Sequence, residues 1–321
     1  MADHGYIYAV SRIRSREQQL LTTPFLESLE TSGSEEAAIR LLNEHGWGAA
    51  GQSAEEILEE EGRKTWDVIG ELVKDLSVFN VFRCENDYHN LKAAIKEACT
   101  GGTHPGIYVE DGTFPAKKME EAVSAREFTA LPERMREPAE RAMDTLLQTR
   151  DGQLCDCILD RAALEAIRDA GRVSGSDLLA LYGELTAAAG DIKIAVRALR
   201  TGKDRDFLSV ALADCGTLDT GRLADAASDS MEALAAYLDT TPYSGAVEEL
   251  KKSLCSLERW CDDLMIEKIR PQLTNCFGLD PLAAYILARR TEIKSVRIIL
   301  TCLRNSCPDY VMRERVRATY V

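Results

Sequence analysis

Nowhere do about 18 apolar residues follow one another, so no segment is built to cross a membrane as a helix. Catalytic signatures are missing too. A G-x-x-x-x-G-K-[ST] loop would cradle phosphates, but Gly202-Lys203 is followed by Asp204 and no glycine stands at the upstream position. Neither a G-x-S-x-G elbow nor an H-E-x-x-H pair occurs. The four histidines (His4, His45, His89, His104) lie scattered, with no partner at i+4. Cys155 and Cys157 form a C-x-C without a second pair at zinc spacing, so neither metal nor cofactor is expected. The opening Met1-Ala2-Asp3-His4-Gly5-Tyr6 lacks a basic-then-apolar leader. The expectation is a cytoplasmic chain whose ten cysteines are free thiols and whose membrane association runs through a partner. Aromatics are sparse, at 6%, while Ala, Leu and Glu abound, a balance that favours helix.

What the chain has in excess is negative charge. Fifty-three acids face 39 bases, for a net charge of −14. Nucleic-acid binding needs the opposite balance, because neutralising phosphates dominates that affinity. No small-molecule substrate is indicated. The charge is uneven along the chain. Residues 27–61 hold ten acids against Arg40, and residues 289–321 hold eight bases against Glu292, Asp309 and Glu314. Two readings stand side by side: the two ends neutralise each other within one fold, or they form docking faces of opposite sign.

Helical periodicity runs from end to end. Leu282, Tyr285, Ile286, Ile293, Val296, Leu300 and Leu303 follow three- and four-residue steps and share a face, as do Leu178, Leu179, Leu181, Tyr182 and Leu185. Ser53 with Glu56 reads as a capping box, and Thr23-Pro24 and Asp280-Pro281 each place a cap before a proline at the first helical position. Breaks fall at 101–106, 172–175, 201–204, 240–245 and 275–278, with a short extended piece conceivable at 107–109. No stretch alternates as a strand. The fold class is all-α.

Three segments superimpose without gaps: Asp87–Lys96, Ala188–Arg197 and Glu292–Thr301. In register, a small polar residue (Asn90, Asp191, Ser295) precedes an aliphatic one (Leu91, Ile192, Val296) and then a base (Lys92, Lys193, Arg297). Each copy reaches a turn residue at the same offset: Gly101, Gly202, Ser306. A weaker echo pairs Cys157–Ile167, with Asp160, and Leu257–Ile269, with Asp262 and Asp263. The reading is three related helical domains, 1–105, 106–205 and 206–321, the N-terminal helix being free to pack with the third.

The C-terminal run Phe277-Gly278-Leu279-Asp280-Pro281-Leu282-Ala283-Ala284-Tyr285 continues through Arg297-Ile298-Ile299-Leu300 to Arg313-Glu314-Arg315-Val316-Arg317-Ala318-Thr319-Tyr320-Val321. It resembles the C-terminal signature of the C subunit of bacterial and archaeal V-type (A-type) ATPases, the counterpart of the eukaryotic d subunit. Tyr8-Ala9-Val10-Ser11-Arg12-Ile13-Arg14 resembles that family's N-terminal helix, and Asp87-Tyr88-His89-Asn90-Leu91-Lys92 its D-x-x-N-x-K element. The second copy departs, with Ala188 where the family's acid is common and Asp191 where its Asn is common.

The resemblance covers essentially the whole chain. It implies three structurally similar helical bundles around a pseudo-threefold axis, forming a funnel or socket. It further implies a non-catalytic part of the central stalk, peripheral on the cytoplasmic face of the membrane. One end would receive the shaft, made of the D and F subunits, and the other would ride on the membrane proteolipid ring. The basic residues Arg12, Lys92, Lys193, Arg297 and Arg315 are the first candidates for the partner-binding surface, within a wider basic set of Arg14, Arg16, Arg289, Arg290, Arg304, Arg313 and Arg317. The plainer use of the repeat bases is to lie along a core edge with wet heads, or to pair with a repeat-specific acid. A general helical-repeat adaptor is the alternative function, but adaptor solenoids repeat about every 34–47 residues rather than about every hundred.

Overall fold

A computed structural model describes residues 6–321, so His4 and the opening segment that lacks a leader pattern lie outside the described residues. In order, the helices are α1 (Ile7–Glu17), α2 (Thr23–Glu30), α3 (Glu35–Glu44), α4 (Ala54–Leu72), α5 (Cys84–Thr100), α6 (Ala116–Ser124), α7 (Glu133–Thr149) and α8 (Gly152–Val173). They continue as α9 (Asp177–Arg200), α10 (Arg205–Ala211), α11 (Thr220–Asp229), α12 (Met231–Leu238), α13 (Ala246–Lys252), α14 (Leu254–Ile269), α15 (Asp280–Arg304) and α16 (Asp309–Arg315). No strand occurs among the described residues, and the protein is all-α. Residues 107–109 lie in a loop and join no strand ladder.

Residues up to Leu76 together with Glu248–Val321 make one compact unit, and Ser77–Val247 make another. In the first, α15 is the central element, packed by α1, α2, α3, α4, α14 and α16. Its residues Pro281 to Arg289 are all buried, so the apolar stripe read in the sequence widens here to the whole circumference. A helix apolar all round has neighbours all round. Leu21, Leu29, Leu42 and Ile57 close on Val296, Ile299 and Leu300 in one core.

In the second unit, α5 packs on α6, α7 and α8, around Leu91, Ile95, Met119, Met135 and Leu159. The α8–α9 hairpin is closed by glycine. A Cβ on Gly183 would sit 2.9 Å from both Ile167 O and Arg168 Cα, and one on Gly171 would strike the carbonyl of Leu179. The two backbones therefore touch directly.

The start signals are mostly where local chemistry puts them. Ser53 and Glu56 form the full capping box. The two proline starts are each one residue off. α2 begins at Thr23 with Thr22 as its cap, α15 begins at Asp280 with Leu279 as its cap, and neither cap contributes a side-chain bond. Proline is tolerated anywhere in a first turn, so it marks a start without fixing the cap.

The three turn residues of the repeat share one conformation: φ is 68° at Gly101, 65° at Gly202 and 50° at Ser306. Only glycine takes this left-handed region without a Cβ penalty. Ser306→Gly is therefore expected to raise stability by about 0.5–1 kcal/mol, the relief exceeding the added entropy of the unfolded chain. Urea unfolding checks it; an unchanged or lower midpoint would count against strain at Ser306.

Candidate functional site

In each copy of the repeat, the small polar residue fastens a returning segment to the long helix. On α5, Asn90 accepts from the Val109 N–H and donates to the Val109 carbonyl, both at 2.8 Å. On α9, Asp191 accepts from the Ala213 N–H at 2.8 Å. On α15, the Ser295 hydroxyl accepts from the Arg317 N–H at 3.3 Å. These residues are all buried, which explains why a polar side chain recurs beside an aliphatic one: a returning backbone amide needs an acceptor inside the packing.

A second fastening sits one helical turn earlier. Asp87, fully buried, accepts from the Thr113 N–H at 2.6 Å and the Phe114 N–H at 3.1 Å, and faces Arg134 at 3.1 Å. Ala188 cannot do this on α9. Glu184, a further turn back, accepts instead from the N–H and the hydroxyl of Thr217, at 2.7 and 2.9 Å. Both acids clasp a Gly-Thr pair, Gly112-Thr113 and Gly216-Thr217, and a Cβ on Gly112 would lie 2.6 Å from Asp87 Oδ1. Sequence reasoning passed over these dipeptides, although their spacing of 104 residues is close to the 101 that separates Asp87 from Ala188. At the register of Asp87 on α15, Glu292 accepts from the Leu21 N–H, and Asp263 of α14 accepts from the Ala318 N–H at 2.7 Å.

Asp191 is the least comfortable of these groups. Burial pushes its carboxyl up to about 8, against the pull of the Ala213 amide and Arg161. Its Oδ2 is buried with no hydrogen-bond partner among the described residues.

The first unit also contains a cleft of about 490 Å³ edged by Arg16, Lys64, His45 and Tyr285. Its floor is Arg289, whose guanidinium lies 4.8 Å over the Trp47 ring and pairs with Glu61 at 2.5 Å and Glu292 at 2.7 Å. Burial pushes the Glu292 carboxyl up to about 7, opposed chiefly by the charge of Arg289. Arg289 thus bridges two buried carboxylates, of which Glu61 is also held by Lys64 at 2.7 Å.

The profile of the ATP synthase (C/AC39) subunit family matches residues 9–315. The chain belongs to that family. It is 22% identical to the C subunit of the V-type sodium ATPase of Enterococcus hirae, over 96% of this chain and 97% of that protein. It is 24% identical to the C subunit of the V-type ATP synthase of Thermus thermophilus, covering 93% and 94% of the two chains. The C subunit of the A-type ATP synthase of Methanocaldococcus jannaschii is 22% identical, covering 92% of this chain and 82% of its own. The resemblance read from the C-terminal run and the D-x-x-N-x-K element is thereby borne out. A match of this length leaves the adaptor reading without support. Among the described residues, no helix is long and apolar enough to cross a membrane.

The basic residues of this C/AC39 family member now separate by what they touch. Arg304 pairs with Glu35 at 2.6 Å and Glu55 at 2.9 Å, Arg313 approaches Glu30 at 3.8 Å, and Arg289 holds Glu61. For these residues the acidic and basic ends of the chain do neutralise each other within one unit. Arg317 is buried on Asp262, and Arg14 is spent on Glu17 and the carbonyls of Gln272 and Asn275. Within the wider basic set, Arg14, Arg289 and Arg317 are held by internal bonds, while Arg304 and Arg313 face acids and stay exposed.

Of the five first candidates, Arg12, Arg297 and Arg315 belong to the first unit, are exposed, and form no salt bridge among the described residues. Lys92 and Lys193 belong to the second unit. Lys92 reaches Asp160 at 2.5 Å, the kind of repeat-specific acid expected for it, while Lys193 forms no such pair among the described residues. For the third copy the corresponding acid, Asp262 of α14, is bound instead by Lys294 at 2.5 Å and by Arg317.

Proposed function

We propose that this C/AC39 family member is the non-catalytic socket of a V-type rotary ATPase, joining the D and F subunits of the shaft to the membrane proteolipid ring. In this reading three similar bundles, residues 1–105, 106–205 and 206–321, surround a pseudo-threefold axis on the cytoplasmic face of the membrane. They transmit torque for ATP-linked proton or sodium transport. The observation that carries it is the triple fastening at Asn90, Asp191 and Ser295, one repeated way of tying a returning segment to a long helix. A torque-bearing part must not yield under load, and buried polar ties within close-packed helices resist sliding of one element past another.

Docking falls first to the bases that internal acids leave over, Arg12, Arg297 and Arg315, with Lys193 and the Asp160-paired Lys92 in the same role on the second unit. Exposed bases of this kind steer a partner and set its register, and their contribution falls as salt rises. The test is affinity for a purified D–F pair. Arg12→Glu, Arg297→Glu and Arg315→Glu in combination are expected to weaken binding about tenfold or more at low salt, the order expected when rim charges are reversed. Unchanged binding removes these residues from the interface. Failure of the wild-type chain to bind either D–F or the proteolipid ring removes the socket reading itself.

A further inference from the structure

Ten cysteines are present as free thiols, and the shaft-and-ring reading makes no use of any of them. Two meet at the end of α15. The Cys307 N–H donates to the Cys302 carbonyl at 2.9 Å across a turn whose penultimate residue, Ser306, has φ of 50°. This six-to-one bond over a left-handed residue is the Schellman closure of a helix, and the two residues it joins usually make an apolar contact. Here that contact is thiol against thiol. Cys302 is 3% exposed, and Cys307 packs against the same core from a half-buried position. A carbonyl-to-amide bond of this length holds the two Cα atoms about 5–6 Å apart, within the span a disulfide bridges. The equivalent closure after α9 joins Ala198 and Lys203, also at 2.9 Å, so the turn is common to two copies and the thiols are particular to this one.

We propose that Cys302 and Cys307 are a thiol–disulfide modification site that a small-molecule disulfide closes into an intrachain bridge. The exposures order the chemistry. Cys307 is the reachable sulfur: as a thiolate it attacks one sulfur of the oxidant, breaking that S–S bond and expelling one small thiolate. Cys302, shielded from the oxidant, then loses its proton and attacks the Cys307 sulfur of the mixed disulfide, expelling the second small thiolate. Two protein thiols are oxidised, one small disulfide is reduced to two thiols, and the two protons shed by the cysteines end on the departing thiolates. Burial pushes the Cys302 thiol up, helped by the neighbouring Cys307, while Arg315 pulls it down, which keeps the second step dependent on closeness rather than on ready ionisation. The bridge pins the turn that leads into α16, the helix that ends at Arg315. The site is independent of the socket reading.

The test uses the whole folded chain, incubated with oxidised glutathione, quenched with an alkylating reagent under denaturing conditions, and cut with trypsin. Arg304 lies between the two cysteines, so bridged protein yields two fragments that stay joined until reduced. The expected result is at least tenfold more Cys302–Cys307 bridge than any other pair, Cys99–Cys155 included. Cys302→Ser should instead trap glutathione on Cys307, and exposed Cys276 should carry glutathione without bridging. Lasting glutathione on Cys307 of the unsubstituted chain would overturn the proposal. So would both thiols remaining alkylatable while Cys276 reacts.

Discussion

Arg289→Met is expected to lower the stability of the first unit by about 3–5 kcal/mol, the usual penalty for stripping the partner from buried charge. The side chain is 7% exposed and holds Glu61 and Glu292, each 5% exposed, so its loss leaves Glu292 without a cation and Glu61 with Lys64 alone, at 2.7 Å. Methionine keeps much of the volume against Trp47, which isolates the charge effect from a cavity. Adding Glu61→Gln and Glu292→Gln to Arg289→Met should restore at least half of the loss, because neutral amides carry a smaller desolvation penalty and can still accept from the Leu21 N–H. Urea titration of the variants against the unsubstituted chain measures this. A single substitution that costs less than about 1 kcal/mol would mean the carboxylates find water or protons instead.

Asp191→Asn should act in the opposite direction, and more strongly as pH rises. The folded carboxyl titrates near 8 and the unfolded one near 3.8, so between those values the folded state holds the extra proton. Stability in this range falls with rising pH, because ionising the buried group favours the chain that exposes it. The contribution is complete below about pH 4, declines towards pH 8, and is flat above. Asparagine never ionises. At the matching position Asn90 both accepts from and donates to one backbone residue, the bonding an amide at 191 would offer Ala213. The substitution is expected to gain about 2–4 kcal/mol at pH 9 and little at pH 5. Unfolding midpoints of both proteins at the two pH values decide it. An equal difference at both would show that Asp191 titrates normally in the fold.

Features that depend on neighbours in the chain are legible in the sequence. Ser53 and Glu56 lie three residues apart and answer each other, and the shared offset of Gly101, Gly202 and Ser306 reflects one backbone need repeated. The periodicity of α15 was visible, and the apolar run 281–288 marks burial on every side there, but not what supplies it. That burial comes from helices supplied by both ends of the chain, and nothing local to 281–289 announces them. The gap at Ala188 was visible as a departure from pattern. Its remedy at Glu184 was not, since a longer acid one turn away reaches the same amide from a different register. Pairing of the two charged ends was one of two open readings, and only the contacts at Arg304 and Arg313 chose between them. The candidate bases follow from sign and, for Lys92, Lys193 and Arg297, from repeat register, whereas availability depends on which acids lie within reach; Asp160 holds Lys92, and Lys294 with Arg317 occupies Asp262.

The glycine seam between α8 and α9 has a mechanical corollary. Most helix pairs meet through side chains, which swivel among rotamers and so act as soft bearings. Where Gly183 lies against residues 167 and 168, and Gly171 against 179, there is no such bearing. A shearing force on that hairpin presses peptide group on peptide group, and hard-core repulsion stiffens far faster with displacement than a torsion does. Its elastic constant is therefore set by main-chain atoms, and a single added methyl at either glycine would change it by forcing a gap.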